Sequence, residues 1–229
     1  MRKLSNTAVT LILLLTLIPS FGQNRIGIIN GLHFTNVAEE SKQFNFSSRT
    51  SFGIGLILEI PVGRRVSLQL EPMLLQKGGV TTLQIIEGFN IGADFILKSS
   101  FIEIPVFLKS EFGIDVKPYI IAGPVFSFLL SSDIVAEFAG LSLKQDVKNS
   151  TKGFDLGLGF GGGLSIPFKR FNFVIEGSYT LGLSKMYNGN IMAGPVLPDM
   201  DELDLEYPDI QYKNRGLKLM IGLTYPFGR

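Results

Sequence analysis

His33 is the only histidine in a 229-residue chain that has no cysteine and no tryptophan. Acyl-transfer or hydrolytic chemistry needs a serine or water activated by a histidine, itself oriented by a carboxylate. His33 could serve with Ser47, Ser48 or a loop carboxylate, but no spacing singles out such a set. The plainer expectation is a hydrogen-bonded histidine at the rim of a strand. Thiol nucleophiles, disulfides, zinc fingers and iron–sulfur clusters are excluded with the cysteines.

Two further patterns could carry chemistry. Gly157-x-Gly159-x-x-Gly162 matches a dinucleotide fingerprint in form, and Glu176 follows at about the expected distance. That fingerprint requires a helix starting at the glycines, whose N–H groups meet the pyrophosphate. Leu164-Ser165-Ile166-Pro167 instead continues as a strand into a turn. Asp199, Asp201, Glu202, Asp204, Glu206 and Asp209 form an acidic run. Oxygen-rich clusters can bind calcium, yet Asp204 stands where an EF-hand needs glycine. A solvated loop over 199–209 is the expectation. No catalytic, cofactor-binding or metal-binding residue is assigned, no cofactor is expected, and the chain is not expected to be an enzyme. The formal charge of +1 gives no basic footprint for nucleic acid.

The elements that must hold these residues are strands. Phe52, Ile54, Leu56, Leu58 and Ile60 alternate with Gly53, Gly55, Ile57 and Glu59. The same period of two runs through Ser67–Glu71, Phe154–Gly161 and Leu217–Tyr225. Successive strand side chains point to opposite faces, so each segment has one apolar face and one polar or small face. Eight such segments are read, near 25–35, 50–60, 66–77, 99–110, 118–130, 153–166, 171–184 and 215–227. Short connections (61–65, 112–117, 167–170) alternate with long ones, among them 78–97, 131–152 and 185–214. This rhythm predicts an all-β, eight-stranded antiparallel up-and-down transmembrane β-barrel.

Which solvent meets the apolar face follows from the other face. Charged residues are 18% of the chain, against about 25% in soluble domains. The polar face is too small and too glycine-rich to coat a barrel in water. Glu59, Glu71, Glu103, Lys109, Asp155, Glu176 and Lys218 lie near mid-strand. On a lipid face such residues cost roughly 2–4 kcal/mol for a basic side chain and less for an acid. Inside a narrow lumen they can pair. A salt-bridged plug is therefore expected, with Gly53, Gly55, Gly157, Gly159 and Gly161 leaving room for the long charged residues. Phe52, Phe101, Phe112, Tyr119, Phe173, Tyr179, Tyr225 and Phe227 are expected to form interfacial girdles.

Met1-Arg2-Lys3, the apolar run Ala8–Leu17 and the small residues before Gly22 form the three parts of a secretory signal peptide. The expected division is 1–22 as a cleaved signal and 23–229 as the outer-membrane barrel domain. Loss of Arg2 and Lys3 would turn the net charge of +1 into −1.

Several strands also resemble a known family. Leu68-Gln-Leu-Glu-Pro-Met-Leu-Leu-Gln-Lys-Gly78 is similar to the third strand of PorT-like outer-membrane β-barrel proteins of Bacteroidetes-type bacteria. Ile102–Lys109, Pro118–Pro124, Tyr179–Leu183 and Lys213–Phe227 resemble its fourth, fifth, seventh and closing strands. The resemblance implies an eight-stranded barrel in the cell outer membrane, in a family whose name-giving member is linked to secretion. Such barrels commonly end on the aromatic residue, whereas Gly228-Arg229 follow Phe227 here.

The expected role is non-enzymatic: a structural or interaction protein that meets lipid on its outer face and protein partners through its long extracellular loops. A small solute or ion channel is the alternative, and a lipid-modifying enzyme centred on His33 a weaker one.

Overall fold

The computed structural model describes residues 22–39, 47–84, 92–138, 141–186 and 212–227. The expected signal peptide (but for Gly22), the acidic stretch 199–209 and Gly228-Arg229 lie outside the described residues. The described strands are β1 (Asn24–Glu39), β2 (Arg49–Pro61), β3 (Val66–Leu70), β4 (Met73–Lys77), β5 (Val80–Gln84), β6 (Gly92–Glu111), β7 (Lys117–Phe138), β8 (Leu141–Asp146), β9 (Phe154–Phe168), β10 (Phe171–Gly182) and β11 (Tyr212–Phe227).

All pairings are antiparallel. β1 pairs with β2, β2 with β3 and β4, and β6 with β3, β4 and β5. The ladder continues β6–β7–β9–β10–β11 and closes on β1, from Asn24↔Phe227 to Glu39↔Tyr212. Segments β3, β4 and β5 together make one stave, so the described strands close a ring of eight staves.

That composite stave shows how local chemistry shapes the wall. Pro72 has no N–H to donate to the ladder, and β3 stops before it. The register nevertheless persists, with Leu58↔Leu70 and Ile54↔Leu74 in step. The Pro72 carbonyl accepts from Leu56 N–H at 2.9 Å, and Glu71 N–H donates to the Pro105 carbonyl at 3.2 Å. Side-chain parity therefore carries from Glu71 through to Lys77. The second break falls at Gly78, whose φ is +140°. A Cβ there would collide with the Leu97 carbonyl.

The three short turns, 61–66, 111–117 and 168–171, gather at one end, as expected. Inward and outward faces also follow the period of two. Ile28, Phe52, Ile54, Leu108, Ile120, Phe173, Ile175, Leu219 and Ile221 all point outward and are exposed. Glu59, Glu71, Glu103, Lys109, Asp155, Glu176 and Lys218 all point inward and are buried. The molecule is thus apolar outside and charged inside, the inverse of a water-soluble barrel.

The structure differs from expectation at the other end. β6 begins at Gly92 and β7 runs to Phe138, while β5 and β8 lie where loops were expected. The described parts of 78–97 and 131–152 are therefore largely strand: β5, β6, β7 and β8 rise beyond the apolar band as a sheet. There, hydrogen bonding continues but the apolar alternation lapses, through Ser99, Ser100, Ser131, Ser132 and Asp133. Above the band, polar runs (98–100, 131–133) give way to consecutive apolar residues (Phe95-Ile96-Leu97, Ile134-Val135-Ala136), so period two carries no hydrophobic signal. A bulge adds to the irregularity, because Phe101 pairs with Leu129 while Ser100 pairs with Ser131.

Two further expectations need correction. Phe101 and Tyr119 are not girdle residues, since both are buried in the lumen. The outer aromatics instead form pairs at each end. Phe171–Tyr225 (5.4 Å between centroids) and Phe168–Phe173 (6.1 Å) stand at the short-turn end, and Phe128–Phe154 (5.4 Å) at the other. The lumen glycines also make room for different partners. A Cβ on Gly159 would lie 2.7 Å from the Phe107 ring, and one on Gly163 would lie 2.6 Å from Tyr119. Gly53 and Gly55 face Leu75, Met220 and Met73, and Gly157 and Gly161 face main chain, Thr180 and Ser178, so the neighbours of these glycines are uncharged.

Candidate functional site in the barrel lumen

Three tiers of polar side chains fill the lumen. At the short-turn end, Arg25 Nη1 lies 3.0 Å from Glu59 Oε1 and 3.2 Å from Glu111 Oε1. Lys109 Nζ reaches the same two acids, at 3.0 Å to Glu59 Oε2 and 2.9 Å to Glu111 Oε1. Ser67 Oγ donates to Glu59 Oε1 at 3.0 Å, and Lys109 Nζ sits 4.3 Å from the Tyr119 ring centroid. Two cations and two anions compensate one another.

The tier nearest the long loops has the same balance. Lys218 Nζ lies 2.7 Å from Glu103 Oε1, and Lys77 Nζ lies 2.8 Å from Glu103 Oε2 and 3.2 Å from Asp155 Oδ2. Asn214 Nδ2 donates to Asp155 Oδ2 at 3.1 Å, and Ser127 links Lys77 to Glu103. Each charge of this tier thus has an opposite charge within 3.2 Å, the condition for tolerating ions away from water.

Some of these contacts run along the wall, as Arg25–Glu59 between neighbouring strands and Lys109–Glu111 within β6, and others cross the lumen. Glu103 on β6 and Lys218 on β11 stand on opposite sides of the ring. Lys77 on β4 and Asp155 on β9 are three staves apart and also meet directly across the interior. An eight-stranded barrel is just wide enough for its side chains to fill it.

The middle tier is different. Gln69 Nε2 donates to Glu71 Oε1 and, at 3.2 Å, to Glu176 Oε2. Tyr119 Oη–H also donates to Glu176 Oε2, at 3.0 Å. Glu71 Oε2 and Glu176 Oε1 have no hydrogen-bond partner, and neither acid has a basic residue within ion-pair distance among the described residues. Two carboxyl groups share one amide donor. Replacing Glu176 by glutamine supplies an N–H₂ that can donate to Glu71 while its carbonyl still accepts from Tyr119. Glu176→Gln is expected to stabilise the barrel by about 1 kcal/mol, the worth of one net hydrogen bond. Urea-driven unfolding from lipid vesicles measures this, and a loss larger than that gain would contradict it.

His33 is buried, 3% exposed. Its Nδ1 lies 3.1 Å from the Gln76 carbonyl, which accepts from it, and its Nε2 faces the Gly216 main chain so closely that a Cβ there could not fit. Ser51, the serine beside it on β2, donates to the Gln76 carbonyl at 2.9 Å and to the His33 carbonyl at 3.4 Å. Ser47 is bridged through its main chain to Val80. Ser51 and the imidazole thus share the Gln76 carbonyl, and neither serine hydroxyl is hydrogen-bonded to the ring. The glycines of 157–162 lie inside extended β9, with no helix to receive a phosphate, and Glu176 faces the lumen opposite Gly163.

Sequence reading placed seven ionisable residues in the lumen, and all seven are there. It missed Lys77, Arg25, Glu111, Gln69 and Asn214 as members of the network. Parity is the signal that finds Lys77: it shares the inward register of Glu71 once Pro72 is seen to interrupt the strand without shifting it.

Residues 21–188 match a family model described as the outer membrane protein beta-barrel domain. No curated protein matches the chain. Similar solved structures include Neisserial surface protein A, at 12% identity and TM-score 0.47, covering 88% of this chain and 97% of that one. OprG from Pseudomonas aeruginosa is 12% identical with TM-score 0.45, covering 92% and 98%. Ail, the attachment invasion locus protein of Yersinia pestis, is 16% identical with TM-score 0.38, covering 90% and 100%.

Proposed function

We propose, from the premise that this chain belongs to the outer membrane protein β-barrel domain family, that it is a non-enzymatic barrel working through its long-loop end. Residues 1–22 are its cleaved export signal, and 23–229 form the barrel. Lipid solvates the outer face, and protein partners meet the loops and the sheet of β5, β6, β7 and β8. Rigid scaffolds that display loops commonly bind through them.

The observation that carries this reading is the contrast between the two ends of the wall. The lumen is crossed by direct ion pairs such as Glu103–Lys218 at 2.7 Å, which speaks for a plug rather than a channel. Beyond the apolar band the strands continue well past what lipid requires, and that extra sheet has no role in spanning. The surroundings of His33 speak against a catalytic role for it. The resemblance of Leu68–Gly78 and the later strands to PorT-like barrels supports a partner within a secretion apparatus.

The test is affinity purification of the tagged protein from native outer membranes, comparing the full chain with a variant lacking 190–210 and one in which the β7–β8 hairpin is shortened. Loss of a co-purifying protein from either variant supports the reading. An identical set of partners from all three overturns it.

A further inference from the structure

The short-turn mouth of the barrel encloses a cavity of about 370 Å³, within the range of ligand-binding clefts. Arg64, Arg65, Lys169 and Arg170 line it, together with Lys117. Two acids stand in its wall, Glu59 and Glu111, and both are already held by Arg25 and Lys109. Among the described residues, none of Arg64, Arg65, Lys169 and Arg170 has an acid within ion-pair distance. Apart from Glu111, Asp115 is the only acid in the three turns themselves. Positive charge is therefore crowded around a concave space without internal compensation. Lys169 is held there in a left-handed conformation, φ 55°, by the two-residue turn.

We infer that this mouth is a binding site for a phosphate-bearing group. Guanidinium forks match phosphate oxygens in pairs, and ammonium groups add point charge. The outward aromatics Phe168, Phe171, Phe173 and Tyr225 stand at the same end, and such girdles mark headgroup depth. A basic pocket at that depth suits an anionic phospholipid headgroup. Taking the phosphate from lipid rests on the outer-membrane reading. Taking it from solution does not, so the two can fail separately.

The probe is diphosphatidylglycerol, supplied in phosphatidylcholine vesicles to the purified full chain, with retained lipid measured by native mass spectrometry after detergent extraction. The parent is expected to retain it selectively. The combined variant Arg64→Gln, Arg65→Gln, Lys169→Gln and Arg170→Gln is expected to lose retention by roughly fivefold per charge removed. A Lys144→Gln, Lys148→Gln variant at the opposite end controls for general charge and is expected to retain lipid. Heat-modified gel mobility reports that each variant is folded. Inorganic phosphate is titrated separately into lipid-free micelles. Binding there that the combined variant loses, without selective lipid retention, supports the site and assigns it to soluble phosphate. If the folded combined variant retains diphosphatidylglycerol and binds phosphate as the parent does, the inference is overturned. It is equally overturned if the variant loses binding only to an acidic peptide such as polyglutamate.

Discussion

Glu103→Gln is expected to cost about 3–5 kcal/mol of stability, because it leaves an ammonium buried without its counter-charge. Lys218 has its ion pair with Glu103 at 2.7 Å, and both side chains are only 1% exposed. Lys77 would keep Asp155, so the damage falls on Lys218. A second change separates lost pairing from lost packing. Lys218→Met in the Glu103→Gln background removes the stranded charge and keeps most of the volume. The double variant is then expected to recover most of the loss, as a double-mutant cycle in vesicle-based urea unfolding would record. A single variant within about 0.5 kcal/mol of the parent, the range of an ordinary surface change, would mean that water reaches Lys218. The plug would then be a pore.

The second large effect lies on the opposite face. Ile221 points outward, 59% exposed, in the middle of β11 between Ile175 and Asn30. In a water-soluble barrel a lysine there would be welcome. In a membrane barrel, Ile221→Lys is expected to cost roughly 2–4 kcal/mol, the price at the bilayer midplane, with smaller losses for lysine nearer the strand ends. A lysine at Ile175, the register partner of Ile221, repeats the test at the same level, and one at Tyr225, near the short-turn end, gives the depth dependence. Equal stability of all three in vesicles would contradict a lipid-facing wall.

Much of this fold was legible because lipid enforces a simple rule. Where one face meets hydrocarbon, every second residue must be apolar, and strands such as 52–60 and 217–225 display the alternation without ambiguity. The lumen acids and lysines were legible for the same reason, since Glu59, Glu103 and Lys218 fall on the other parity. Legibility ended where the rule ended. Above the apolar band, polar runs alternate with consecutive apolar residues such as Phe95-Ile96-Leu97 and Ile134-Val135-Ala136, so the continuation of β6 and β7 and the presence of β5 and β8 left no trace of period two. Tyr119 was misplaced because β7 is apolar on both faces, with Ile120 outward and Ile121 inward. Phe101 was misplaced despite sharing the parity of Glu103, because its aromatic character outweighed its register. The basic mouth could not be read at all, since Arg64, Lys117 and Arg170 come from three turns that only the closed ring brings together.

The absence of native cysteine opens the most direct measurement. Single cysteines at Ile175, Leu219 and Ile221 and at Ile29, Val174 and Met220 can each carry a spin label in bilayers. Collisions with oxygen report lipid, and collisions with a nickel chelate report water. A lipid-facing barrel with a filled lumen gives high oxygen and low nickel accessibility at the first three positions, and low accessibility to both at the second three. Nickel access at Ile175, Leu219 and Ile221 would place water on the outer face, and nickel access at Ile29, Val174 and Met220 would place it in the lumen. Either result would contradict the closed membrane barrel.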